Sequence, residues 1–76
     1  MQYCVALKEL GRRIKKCRVK RNLTQLELSV LCDMEKGNLS RIERGKTNPT
    51  IITLLLIADK LEVDFADLFP SGKICN

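Results

Sequence analysis

Leu7, Leu10, Ile14 and Cys17 recur at intervals of three and four residues, and later apolar segments repeat that helical spacing. The two-residue alternation of a strand appears nowhere, so an all-α chain is expected. The first stripe predicts a helix from about Val5 to Arg21, with Arg12, Arg13, Lys15, Lys16, Arg18, Lys20 and Arg21 on its other faces. Thr24-Gln-Leu-Glu27 has the form of a capping box, which starts a second helix running to about Cys32 with Leu28 and Cys32 inward. After a turn through Asp33 and Met34, a third helix is expected from about Lys36 to Arg44. It carries Leu39 and Ile42 on one side, and Gly45 stops it. Asn48-Pro49-Thr50 supplies a cap and a first-turn proline for a fourth helix, whose apolar stripe reads Ile51, Leu54, Leu55, Ala58 and Leu61. Asp64 caps a short fifth helix, Phe65 to Phe69, ended by Pro70 and Gly72.

Seventy-six residues are expected to form one domain, 1–76, without a second catalytic or ligand-sensing domain. With 45% apolar and 30% charged residues, the chain has enough hydrophobe for a small core. There is no histidine, which excludes His-ligated metal sites and any mechanism needing an imidazole base. Cys4, Cys17, Cys32 and Cys75 lie too far apart for zinc-ligand spacing, so structural free thiols are expected and no metal site. A thiol enzyme would need a base beside a low-pKa cysteine, and neither a close cysteine pair nor a histidine is present.

The charge is uneven: residues 1–46 carry +7 and residues 47–76 carry −2. A basic partner surface therefore lies in the first two thirds, although net charge alone does not separate nucleic acid from an anionic membrane. No apolar run approaches membrane-helix length, and Lys8, Glu9, Arg12 and Arg13 interrupt anything like a signal peptide. A cytoplasmic location and no membrane partner are expected.

Two short helices joined by a tight turn, the second with a polar outer face, suit the DNA major groove, which admits a single helix. The stretch TQLELSVLCDMEKGNLSRIERGKTNPT resembles the helix-turn-helix of the phage-repressor and Cro-like family, also called the xenobiotic-response-element family. Thr24-Gln25, Leu28, the block Leu39-Ser-Arg-Ile-Glu43-Arg-Gly45 and Asn48-Pro49 carry the likeness, which extends over about residues 10–69. The resemblance implies a five-helix, lambda-repressor-like domain with its motif at about 24–44. It further implies phosphate contacts from Thr24, Gln25, Arg44, Lys46 and the backbone near Asn48, with a base also within reach of Gln25. Lys36, Gly37, Asn38, Ser40 and Arg41 take the base-facing positions of the recognition helix. Arg18 and Glu43 match the family's ion pair between the first helix and the end of the third.

Three positions depart from the pattern. Asp33 stands where the family has a turn glycine, Glu35 replaces a Ser or Thr cap, and Gly37 offers no side chain. Leu26, Val30, Ile52 and Leu56 are apolar where the family tends to be polar. Ile52 and Leu56, four apart on the fourth helix, are expected to form a dimer interface, within a region of about 50–69 that also supplies core. The expected function is sequence-specific binding of double-stranded DNA by a homodimer that regulates transcription. No cofactor, small-molecule substrate or catalysis is expected, and a restriction-modification controller is a subtype suggested by size. The alternative is an antitoxin-like module whose main partner is another protein docked on Ile52 and Leu56.

Overall fold

The computed structural model describes residues 2–69, with side chains described from Cys4 onward. Four α-helices follow in order, α1 (Gln2–Lys20), α2 (Gln25–Leu31), α3 (Lys36–Glu43) and α4 (Ile51–Leu61), and a 3-10 turn spans Phe65–Leu68. No strand occurs among the described residues. The expected fifth helix is thus a single 3-10 turn, in which the Asp67 carboxylate accepts the Asp64 amide at 3.2 Å. Pro70, Gly72 and Cys75 lie outside the described residues.

Every element sends a fully buried side chain to one core: Ile14 from α1, Leu28 from α2, Leu39 from α3, Ile57 and Leu61 from α4, and Leu68 from the 3-10 turn. Each such burial contributes about 1.5 to 3 kcal/mol. Cys32 is buried and Cys17 half-buried against this core, as small hydrophobes. Burial pushes the Cys32 thiol pKa up.

The α4 stripe differs from its expected form. Leu54, Ala58 and Leu61 are buried, but Ile51 and Leu55 are 59% and 45% exposed and Ile57 is inside instead. The inward face is therefore rotated by part of a turn, because Leu54, Ile57, Ala58 and Leu61 form the tighter three-and-four repeat. Pro49 also moves outside the helix: Thr50 is the cap, and its hydroxyl accepts the Thr53 amide at 3.2 Å.

All four helices end in the same way. A left-handed residue follows the last turn at Asn22 (φ 58°), Asp33 (φ 54°), Gly45 (φ 71°) and Glu62 (φ 58°). At each, two amides return to carbonyls of the last turn: Asn22 and Leu23 to Val19 and Arg18, Asp33 and Met34 to Val30 and Ser29, Gly45 and Lys46 to Ile42 and Arg41, Glu62 and Val63 to Asp59 and Ala58. This closure keeps the α2–α3 turn short even though Asp33 stands in for glycine.

Candidate nucleic-acid interface

The outward face of α3 is built from behind. Leu39, Ile42 and Glu43 are buried, which fixes the rotation of the helix on the core. At 3.6 residues per turn, Lys36, Gly37, Ser40, Arg41 and Arg44 then share one continuous outward arc. Lys36, Gly37, Arg41 and Arg44 are exposed and Ser40 half-exposed. Asn38 sits off this arc, half-buried, with its amide nitrogen 3.9 Å from Met34 Sδ.

Beneath α3 lies the expected pair. Arg18 and Glu43 are only 8% and 7% exposed and joined by two hydrogen bonds, Nε to Oε2 at 2.7 Å and Nη2 to Oε1 at 3.1 Å. Such a two-pronged link fixes angle as well as distance. Arg18 Nη1 also donates to the Leu23 carbonyl at 2.7 Å, so one guanidinium joins α1, the α1–α2 turn and α3. Gln25 Nε2 donates to Glu43 Oε1 at 2.9 Å, and this half-buried amide therefore helps to hold α3 as well as standing at the start of α2. Nothing in the sequence flagged that bond, since the two residues are brought together only by packing.

Gly11 explains how α1 comes so close. A Cβ there would collide with the Ile42 carbonyl oxygen and lie 2.5 Å from that of Glu43, so only glycine permits the crossing. Gly45 meets the same helix about one turn before Gly11, with a Cβ there falling 2.7 Å from the Lys8 Cα. The loop that bears Lys46 is thereby docked on α1.

The α2 start carries the capping box read from the sequence: the Glu27 amide donates to Thr24 Oγ1 at 3.0 Å, and the Thr24 amide donates to Glu27 Oε1 at 2.8 Å. Glu35 precedes α3 but makes no side-chain cap bond. Thr24, Arg44 and Lys46 are all exposed, around the ends of α2 and α3.

Two of the other basic residues of α1 have an acidic partner on the same helix. Arg12 and Arg13 share the Glu9 carboxylate at 3.0 and 3.7 Å. Arg13, Lys16, Lys20 and Arg21 border an open cleft of about 600 Å³ against the end of α4. Across it Arg21 meets Glu62 at 2.8 Å, and hydrogen bonding from that guanidinium holds the Glu62 carboxyl below the usual glutamate range. No cluster of His, Cys, Asp or Glu suited to a metal ion occurs among the described residues, and no helix there is long and apolar enough to cross a membrane.

Of the expected interface pair, Ile52 is 72% exposed, whereas Leu56 is half-buried and packed on the core. The exposed apolar patch of α4 is Ile51, Ile52 and Leu55. Leu26 and Val30 are exposed as well, joined by Leu31 on α2.

The family model HTH_3, described as helix-turn-helix, matches residues 14–68. The antitoxin PezA of Streptococcus pneumoniae serotype 4 is 30% identical over 67 residues, which is 88% of this chain and 42% of that protein. The immunity repressor protein of Bacillus phage phi105 is 37% identical over 54 residues, 71% of this chain and 38% of that protein. The chain thus spans about two fifths of the length of these two relatives. Among solved structures, the restriction-modification controller protein C.AhdI from Aeromonas hydrophila superposes with a TM-score of 0.81 at 27% identity, covering 83% of this chain and 96% of that one.

Proposed function

The chain belongs to the helix-turn-helix family HTH_3, with the fold of its transcriptional regulators, and from that premise we propose that it binds duplex DNA sequence-specifically as a homodimer and regulates transcription. The observation that carries this reading is the outward arc of α3, three of whose five residues are basic, on a helix locked from behind by Arg18, Gln25 and Glu43. α3 enters the major groove. Arg41 is the main base reader, since its planar fork can give two hydrogen bonds to one guanine, with Lys36, Gly37, Ser40 and, at the edge, Asn38 beside it. Thr24, Arg44 and Lys46 hold phosphates. Gln25 can reach a phosphate only with the part of its amide not engaged by Glu43.

The one domain proposed here, 1–76, needs no cofactor, metal or catalytic step for this activity, and it works in the cytoplasm. Its α4 patch, Ile51, Ile52 and Leu55 with Leu56 at its edge, forms the two-fold contact, which spaces the half-sites by about one helical turn, roughly 34 Å. The near-complete coverage of C.AhdI supports a restriction-modification controller as the subtype. A gel shift against the DNA upstream of its own gene, over a salt series, tests the reading. Log affinity is expected to fall with log salt by about 0.9 per phosphate neutralised, and affinity that stays flat overturns it.

A second reading is favoured by the PezA likeness together with two exposed apolar surfaces, one on α2 and one on α4. In it the chain is an antitoxin-like module and a different protein covers one surface. Co-purification of a stoichiometric partner that occludes Leu26 and Val30, or Ile52, distinguishes the two.

A further inference from the structure

Gly37 is required by neither backbone nor core. It is the second residue of α3, it is exposed, and it is not among the residues with positive φ. A Cβ added there would meet, apart from its chain neighbours and the helix backbone, only Arg41 Nη1, at 3.7 Å. Glycine is nonetheless among the poorest helix formers, so the position holds a locally unfavourable residue for no gain in packing.

The neighbour that uses the missing side chain is Arg41. Residues four apart lie one above the other on a helix, and long side chains lean toward the N-terminus over the preceding turn. Arg41 does so, its guanidinium reaching back to the level of Gly37. In a helix laid into the major groove, the N-terminal residues meet the base edges, while Arg41 stands a turn behind them.

We propose that Gly37 is a specificity-determining residue that acts through Arg41: the bare helix surface at 37 is the channel along which the Arg41 guanidinium reaches the bases beside the first turn of α3. This rests on the DNA-binding reading and adds to it a coupling between two positions. Lysine at 41 would lie in the same channel but lack the fork. Any side chain at 37 much longer than a methyl group fills the channel and turns Arg41 away.

Selection of binding sites from a random duplex pool tests this with wild type, Gly37→Ala, Gly37→Leu, Arg41→Ala and the Gly37→Leu/Arg41→Ala double variant. Wild type is expected to prefer one base pair per half-site by about tenfold through Arg41. Gly37→Ala lowers that preference far less than Gly37→Leu does, because 3.7 Å is ordinary contact distance for its methyl group. Gly37→Leu, which cannot hydrogen-bond a base, loses it as fully as Arg41→Ala, and the double variant loses nothing more at that base pair. Neither Gly37 variant melts below wild type, since both replacements are better helix formers. The inference is overturned if Gly37→Leu retains the wild-type preference, or if it weakens all sequences alike even with Arg41 already removed, which would be a collision with DNA. If wild type enriches no sequence at all, the DNA-binding reading fails and takes this inference with it.

Discussion

The seam between α1 and α3 and the outer face of α4 break opposite rules of burial. At the seam two charged side chains are inside, and at α4 three large aliphatic ones are outside. The seam is complete in itself: Arg18, Glu43, Gln25 and the Leu23 carbonyl satisfy one another, and Gly11 lets the backbones meet. The α4 face is incomplete, since Ile51, Ile52 and Leu55 gain nothing from water and stand exposed among the described residues. The difference separates a contact that orients α3 from an apolar face that the proposed dimer gives to a second molecule. On the proposed reading, one is a feature of folding and the other of assembly.

The largest effect should come from opening the seam. Glu43→Ala leaves the Arg18 cation buried without its partner and frees the Gln25 amide, a loss of about 3 to 5 kcal/mol. Arg18→Ala is expected to cost a similar amount, and the double variant less than the sum of the two, because neither charge is then stranded. Chemical denaturation of the four proteins measures this. A loss for Glu43→Ala near the 0 to 1 kcal/mol typical of exposed pairs would mean that water reaches the site, and the contrast with α4 would collapse.

At α4 the expected effect is smaller on stability and larger on assembly. Ile52→Glu and Leu55→Glu should leave the melting temperature of the monomer nearly unchanged, since exposed substitutions usually stay within about 0.5 kcal/mol. Both should abolish two-fold association and weaken DNA binding, as sedimentation and gel shift would register. Leu56→Glu is a mixed case, because Leu56 is half-buried on the core, and it should lower the melting temperature as well. A wild type that stays monomeric at high concentration, or an Ile52→Glu variant that assembles normally, removes the interface from α4.

These two regions were unequally legible in the sequence. The Arg18 and Glu43 pair was visible because it lies at family spacing, and helix order followed from three-and-four periodicity and the Thr24 and Glu27 capping box. The inward face of α4 is only partly legible. Ile51, Ile52, Leu54, Leu55, Leu56 and Ile57 are nearly all aliphatic, so periodicity there does not discriminate inside from outside. Only packing against α1, α2 and the 3-10 turn selects Leu54, Ile57, Ala58 and Leu61. Gln25 bonding to Glu43 and Gly11 under the α3 carbonyls were likewise invisible, because both depend on residues far apart in the chain.

The smallest effect compares the turns that close the two regions, Asn22 after α1 and Glu62 after α4, both left-handed. A left-handed L-residue costs roughly 1 to 2 kcal/mol, but Asn tolerates it better than Glu does. Glu62→Gly should therefore raise the melting temperature by more than Asn22→Gly. The gain is offset at neutral pH because Glu62 also pairs with Arg21 at 2.8 Å. That pairing holds the Glu62 carboxyl below the usual glutamate range. A carboxyl with a lowered folded pKa contributes stability above its unfolded value and loses it as pH falls through the folded one. Below the ordinary glutamate pKa of about 4.3, wild type progressively gives up what the variant never had, so the advantage of Glu62→Gly should widen on acidification. Asn22→Gly has no such term, and its smaller gain should not vary with pH. Melting curves at neutral and acid pH decide it: an advantage for Glu62→Gly that narrows in acid would show that the pairing with Arg21 adds nothing to the stability of the folded chain.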